Sequence, residues 1–203
     1  MDKTWKKAQE WELDWHHNCI NSFNEERKQL EYASLMGLKT SPTHKTPYTF
    51  DMEGKTVLDI GGGAYSLLLK CVNFSESVVI DPLMAKYPHW VRDRYETHGL
   101  KYSSATGENF EFNKVFDEVW FYNVLEHVYN PEKIIKNAKK AGKIVRVYEW
   151  LNTPPNIGHP QVLKEEKLNN WLGGEGKITQ HKRGNTIATS YSGIFKGNNY
   201  EEI

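Results

Sequence analysis

The residues with the clearest chemical potential form one short run, Val57-Leu58-Asp59-Ile60-Gly61-Gly62-Gly63-Ala64-Tyr65-Ser66. A short apolar stretch leads into three glycines, which let a backbone reach positive φ and approach a ligand closely. Asp81 follows 20 residues after Gly61, at the end of a second apolar run, Ser77 to Ile80. A carboxylate at that spacing can accept both ribose hydroxyls of a nucleoside lying across the strand ends. Two departures narrow the ligand. A dinucleotide fingerprint wants a third glycine at position 66, where this chain has Ser66. Asp59 sits in the strand end itself, where an acid repels a pyrophosphate and can organise the loop around a cationic amino-acid ligand.

A second set follows an apolar run over 116–122. Asn123, Glu126 and His127 fall at a carboxyl edge, where ligands bind in open α/β sheets. Asn123 suits a backbone-fixing or ligand-proximal role, and Glu126 reads as structural. His127 suits a general base, since imidazole titrates near neutral pH, or else it holds a neighbouring loop. His159, in Asn156-Ile157-Gly158-His159-Pro160, either faces the same site or pairs a backbone carbonyl in a rigid turn. Tyr148 and Glu149 end another apolar run and could line an adjoining pocket. Cys19 and Cys71 form no Cys-x-x-Cys pair, and His16 and His17 have no partners at metal-ligand spacing. Neither a disulfide framework nor a metal site is expected.

These residues need a scaffold, and the pattern supplies one. Residues 3 to about 36 read as one long helix or two, with Trp5, Ala8, Trp11, Trp15, Cys19 and Phe23 at steps of three and four. Gly37 suits a C-cap, and residues 40–47 are a turn-rich linker. Strands are expected at 56–60, 77–80, 100–103, 116–122 and 143–148, with helices at 66–73, 83–98 and 131–141, the last opened by Pro131. This alternation implies right-handed crossovers and a mainly parallel sheet. A helix over 164–172, then paired runs at 177–182 and 186–195 around Arg183-Gly184-Asn185, read as an added antiparallel hairpin. The expected architecture is therefore α/β: a Rossmann-like, seven-stranded, mainly parallel sheet with a C-terminal antiparallel hairpin. Residues 1–40 form a helical cap or lid, and residues 41–203 the ligand-binding domain. The tryptophan stripe either closes a site or simply docks its helix on the core.

Composition limits the function classes. Lys plus Arg and Asp plus Glu number 26 each in 203 residues, so the formal net charge is zero. Nothing draws the chain generally to nucleic acid or an anionic membrane. No run of about 18 apolar residues is present, so no membrane span is expected. The polar start lacks an apolar signal core, and a cytoplasmic protein with reduced thiols is expected.

The glycine run also carries a family resemblance. Asp59-Ile60-Gly61-Gly62-Gly63 resembles the first motif of class I S-adenosylmethionine-dependent methyltransferases, and Val78-Val79-Ile80-Asp81 is similar to the second. The stretch from Phe116 to Val128 closely resembles the fourth-strand motif of their small-molecule branch, which includes ubiquinone- and menaquinone-type enzymes. The resemblance spans residues 54 to 150.

It implies S-adenosyl-L-methionine as cofactor. By that likeness Asp59, Gly61, Gly62 and Gly63 attend the methionine part and Asp81 and Pro82 the ribose, with Asn123 a cofactor-proximal polar group. Thr106, Gly107 and Glu108 lie in the segment passing the adenine, with Thr106 where the family usually has an acid. Tyr65 replaces the first motif's last glycine. His127 and His159 are the candidate catalytic residues. The implied activity is in-line methyl transfer to a small-molecule, sugar or lipid-linked acceptor. The alternative is an S-adenosylmethionine-binding partner or regulatory protein without catalysis. A nicotinamide enzyme is disfavoured by Ser66. DNA amino-methylation wants Pro-Pro and an aromatic after the strand, where this chain has Val124-Leu125-Glu126; cytosine-C5 chemistry wants a Pro-Cys nucleophile that neither cysteine supplies.

Overall fold

A computed structural model describes residues 3–19, 23–41 and 49–201. Its elements run α1 (Lys3–Cys19), α2 (Phe23–Leu35), β1 (Phe50–Asp51), β2 (Val57–Ile60), a 3-10 turn (Leu67–Lys70), β3 (Cys71–Val72), β4 (Val78–Ile80), α3 (His89–Thr97), β5 (Lys101–Ser103), β6 (Phe116–Tyr122), α4 (Pro131–Ala141), β7 (Gly142–Leu151), α5 (Glu165–Leu172), β8 (Lys177–Arg183) and β9 (Thr186–Lys196). Seven strands form one sheet in the order β5-β4-β2-β6-β7-β9-β8. The first five are parallel, and β9 and β8 join antiparallel. The Rossmann-like sheet with its terminal hairpin is as expected. The chain reverses between β2 and its two neighbours, β4 and β6, so a crevice opens at their carboxyl ends.

Period-two alternation along β6 builds both layers. Trp120 and Tyr122 enter one apolar cluster with α2 and the residues around α3, while Val119 and Phe121 enter the other with α4 and α5. Helix α4 begins as its sequence dictates: the Asn130 side chain accepts from Lys133 N–H at 3.0 Å, and Pro131 takes the first helical position. Gly173, at φ +74°, ends α5.

Two expectations need correction. The helix over 66–73 is a single 3-10 turn followed by β3. Ser66 Oγ accepts from Leu68 N–H at 3.0 Å, and the next residues extend to pair with β1 in a separate two-stranded sheet. The helix over 83–98 starts only at His89, because the residues before Pro88 coil into turns held by Asp81. The linker expected at 40–47 lies, from residue 42 onward, outside the described residues, as do the side chains of Cys19 and Phe23.

The N-terminal 40 residues divide by role. Tyr32, Ala33 and Met36 of the α2 region are core residues, and Arg146 Nη1 donates to the Met36 carbonyl at 2.7 Å. Helix α1 instead lies across the crevice. Among the described residues no helix is long and apolar enough to cross a membrane.

Candidate functional site

The glycine loop leaves β2 and is held from beneath. Asp59 is fully buried, and its Oδ2 accepts from Ser66 Oγ at 2.5 Å and from the Tyr122 hydroxyl at 2.7 Å. Burial pushes its carboxyl up to about 7, against the lowering effect of those two hydroxyls. Asp59 therefore organises the loop without lining either cavity described below. Ser66, the departure from the dinucleotide pattern, is what it grips. Tyr95 and Tyr122 complete the frame: Tyr95 donates to the Gly63 carbonyl at 2.8 Å, and Tyr122 accepts from Leu67 N–H at 2.8 Å.

Glycine is required here on steric grounds. A Cβ on Gly62 would lie 2.6 Å from both Asp59 Oδ2 and Val79 Cγ1, and one on Gly61 would lie 2.7 Å from Val124. Gly61 and Gly63 also take φ of +73° and +64°.

Asp81 ties the second strand to this loop. Its Oδ2 accepts from Gly63 N–H at 3.0 Å and its Oδ1 from Leu83 N–H at 2.8 Å. Burial raises its pKa, with His16 the main opposing influence. Beside it lies a cavity of about 60 Å³, lined by Pro82, Thr106, Gly107 and Glu108 and roofed by Trp5, Gln9 and Glu12 of α1. Thr106 Oγ1 is buried there with no hydrogen-bond partner. Glu108 is already engaged: its Oε1 accepts from the N–H groups of Tyr129 and Asn130, both at 3.1 Å. It braces the approach to α4.

On the other side of the loop a larger cavity, about 480 Å³, lies within the usual range for small-molecule sites. Its walls include Trp11, Trp15, Tyr32, Trp150, Glu126 and His159. Tyr65 also lines it, its ring faced by the Arg94 guanidinium at 4.6 Å. Gly61, Asn123, His127 and Glu12 line both cavities.

Asn123 takes φ +55° to turn the chain off β6, and the next two N–H groups, of Val124 and Leu125, are received by the fully buried Glu149. Glu149, expected in a pocket wall, thus points inward; burial lifts its carboxyl to about 8. The turn delivers Glu126 and His127 to the crevice. His127 Nδ1 donates to the Gly158 carbonyl at 2.8 Å, and Glu12 Oε2 lies 2.8 Å from the same nitrogen. Burial alone would lower the His127 pKa, but Glu12, with Glu126 and Glu149, outweighs it and lifts the ring to about 9.

His159 packs edge-on to His127, ring centroids 4.5 Å apart, and burial followed by the His127 charge lowers its pKa to about 4. Asn156 Oδ1 accepts from Gly158 and His159 N–H at 2.9 and 3.1 Å, which turns its Nδ2 towards His159 Nδ1 at 3.2 Å. The single proton of the neutral ring therefore sits on Nε2, 3.6 Å from Glu126 Oε1. Glu126, His127 and His159 do place ligating atoms within 4.8 Å of one another. With the proton on His159 Nε2, however, that nitrogen offers a cation no lone pair.

Sequence reasoning missed Glu12 and undervalued Glu126. Glu126 is adjacent to His127 on the loop after β6, which was a usable signal. For Glu12 the only local signal was its i,i+4 spacing to His16, 3.4 Å away.

Comparison with known proteins gives a family match over residues 58–144, described as "Methyltransferase domain". No curated protein gives a significant sequence match. Among solved structures, the N-methyltransferase NodS of Bradyrhizobium japonicum WM9, in complex with S-adenosyl-L-homocysteine, is similar at TM-score 0.59 and 15% identity, covering 97% of this chain and 100% of that one. The 1,6-didemethyltoxoflavin-N1-methyltransferase of Burkholderia thailandensis, with bound 1,6-didemethyltoxoflavin and S-adenosylhomocysteine, is similar at TM-score 0.64 and 11% identity, covering 97% and 91%. An S-adenosylmethionine-dependent methyltransferase of Clostridium acetobutylicum ATCC 824 gives TM-score 0.58 at 13% identity, covering 91% and 97%.

Proposed function

We propose, from a chain that carries a methyltransferase domain of the class I Rossmann-like fold, that it transfers a methyl group from S-adenosyl-L-methionine to a small-molecule, sugar or lipid-linked acceptor. The observation that carries this reading is the junction of the two cavities at Gly61, Asn123 and His127. One cavity offers a nucleoside an acidic strand end, and the other offers an acceptor an aromatic wall.

The residues present suit the cofactor. Asp81 accepts hydrogen bonds at the strand end, as ribose hydroxyls require, with Pro82 beside it. Thr106 Oγ1 is an unused hydroxyl in the same cavity. Gly61, Gly62 and Gly63 present backbone towards the amino-acid end, steadied by Asp59, while Gly107 and Glu108 shape the far wall and Asn123 the junction. A nucleoside is far larger than the 60 Å³ beside Asp81. Entry therefore calls for α1 to lift, with α1 the moving part of the proposed lid. The bound cofactor supplies an electrophilic methyl group.

The chain's own residues align the acceptor and exclude water. Trp11 of α1 packs on Gly158 and edge-on to His159, closing the acceptor cavity from above. His127, protonated and engaged at Nδ1, acts as a fixed cation. Where an acceptor must lose a proton, that proton passes to Glu126 Oε1, with the His159 Nε2–H steadying the carboxylate. Two imidazoles and an acid clustered on the wall of a cavity large enough for a substrate favour catalysis over passive cofactor binding. The zero net charge disfavours nucleic acid as acceptor.

The test is transfer of labelled methyl groups into small-molecule and macromolecular fractions of a cell extract. Label is expected in the small-molecule fraction. Glu126→Gln should reduce its rate of appearance by roughly 10²-fold, the usual range for losing a proton acceptor, with S-adenosylhomocysteine affinity unchanged. Label confined to protein or nucleic acid would overturn the acceptor class.

A further inference from the structure

We infer that Glu12 is a working part of the site, the positioning residue of His127, so that closing α1 fixes the charge of that imidazole. This rests on the reading of α1 as the lid, but its test needs neither cofactor nor acceptor.

The argument starts from where α1 puts its side chains. Glu12 and His16 stand one helical turn apart on the face turned to the crevice. His16 packs against Gly63, such that a Cβ there would lie 2.9 Å from its ring, and edge-on to Tyr87 at 5.3 Å. Glu12 Oε1 lies 3.4 Å from His16 Nε2, and Oε2 lies 2.8 Å from His127 Nδ1. One helix thus touches the glycine loop and the β6 loop at once, and its carboxylate sits where the two cavities meet.

The groups facing His127 come from four elements. Glu12 and His16 belong to α1, Glu126 to its own loop, Glu149 to β7 and His159 to the loop after β7. Glu149 is itself pushed towards its neutral form by burial, Glu126 lies 3.9 Å from His127 Nε2, and His159 is neutral. Glu12 is therefore the dominant countercharge, and its own carboxyl, which burial alone would raise, is held well below the ordinary range by His127 and His16. An imidazolium without Glu12 would keep only the more distant Glu126, 3.9 Å from its Nε2, as countercharge beside a cationic methyl donor. With Glu12 in place the pair presents no net charge there. Lid closure and proton uptake by His127 are then one event. The sign follows. The pair's contribution to closure is complete below the ordinary His pKa of 6.5, and it fades as pH rises through about 9.

The experiment follows the imidazole resonances of His127 by NMR against pH in the full-length chain. It compares the unaltered chain with Glu12→Gln and Glu12→Asp. The unaltered chain is expected to titrate well above the ordinary histidine range. Glu12→Gln should lower the His127 midpoint by more than about one pH unit, and Glu12→Asp should recover part of that shift. An unmoved midpoint in Glu12→Gln would overturn the inference, as would a fall in Glu12→Asp equal to that in Glu12→Gln. Failure of the chain to bind S-adenosylhomocysteine would count against the proposed reaction while leaving this titration intact, so the two failures can be told apart.

Discussion

Replacing Asp81 with alanine is expected to weaken S-adenosylhomocysteine binding by about 100-fold, from loss of two hydrogen bonds to a charged acceptor worth together about 3 kcal/mol or more. Two effects coincide at this residue. In the proposed reading its carboxylate is the acceptor for the ribose, and it is also the strut that holds Gly63 N–H at 3.0 Å and Leu83 N–H at 2.8 Å. Alanine removes both, so the loop under the amino-acid end loosens as the ribose loses its partner. Asparagine separates the two contributions. It keeps one oxygen for Leu83 N–H but turns an NH₂ group towards Gly63 N–H, a donor facing a donor. An intermediate loss is expected for Asp81→Asn. Calorimetric titration of the three proteins measures this directly, and equal affinities would place the nucleoside elsewhere.

The second large effect concerns stability. Arg146→Ala is expected to cost about 3 kcal/mol, as measured by urea unfolding, because it leaves a buried carboxylate with only the part-exposed Lys55 ammonium, 3.3 Å away, as counter-ion. Glu118 is 1% exposed, and Arg146 holds it with Nε at 2.6 Å and Nη2 at 3.0 Å. Trp120 Nε1 donates to the same carboxylate at 2.9 Å. Burial alone would raise the Glu118 pKa, but Arg146 outweighs it and the net shift is downward. The pair's contribution is therefore present above the ordinary carboxylate range and fades as pH falls below it.

Arg146 has a second role, since its Nη1 bond to the Met36 carbonyl fastens the end of the α2 region to β7. Lysine cannot replace that fork and is expected to recover little of the loss. The double variant Glu118→Gln/Arg146→Met leaves no buried charge and should be less destabilised than Arg146→Ala alone. The opposite order would show that the pair does not behave as a buried charge and its counter-ion.

How much of this was visible in the sequence depends on the range of the interactions involved. Strands β2, β4 and β6 read correctly because each is a dense apolar run ended by turn residues, and β9 because the Arg183-Gly184-Asn185 turn marks it as the return arm of a hairpin. Helix α4 read to the residue because Asn130-Pro131 announces it locally. The stretch after the glycine loop misled because Leu67-Leu68-Leu69 is apolar enough for a helix, yet Ser66 bonds down to Asp59 and the chain departs to pair with β1. Those partners lie outside any local window.

Asp81 was legible, since spacing along a βαβ unit is nearly fixed. Asp59 and Glu149 were visible as acids at strand ends, but their inward direction was not, because either face of a strand end serves equally well until the loops are placed. Glu12 was the least legible. Its importance comes from where α1 crosses the crevice, more than 100 residues away in sequence from His127. The family match reaches the methyltransferase domain and goes no further towards a ubiquinone-type branch.

The most direct test of the central claim is calorimetric titration of the unaltered protein with S-adenosylhomocysteine and, separately, with NADH. Binding of one S-adenosylhomocysteine per chain, with a dissociation constant on the order of micromolar and no response to NADH, is the predicted result. Binding of NADH with silence towards S-adenosylhomocysteine would contradict the account.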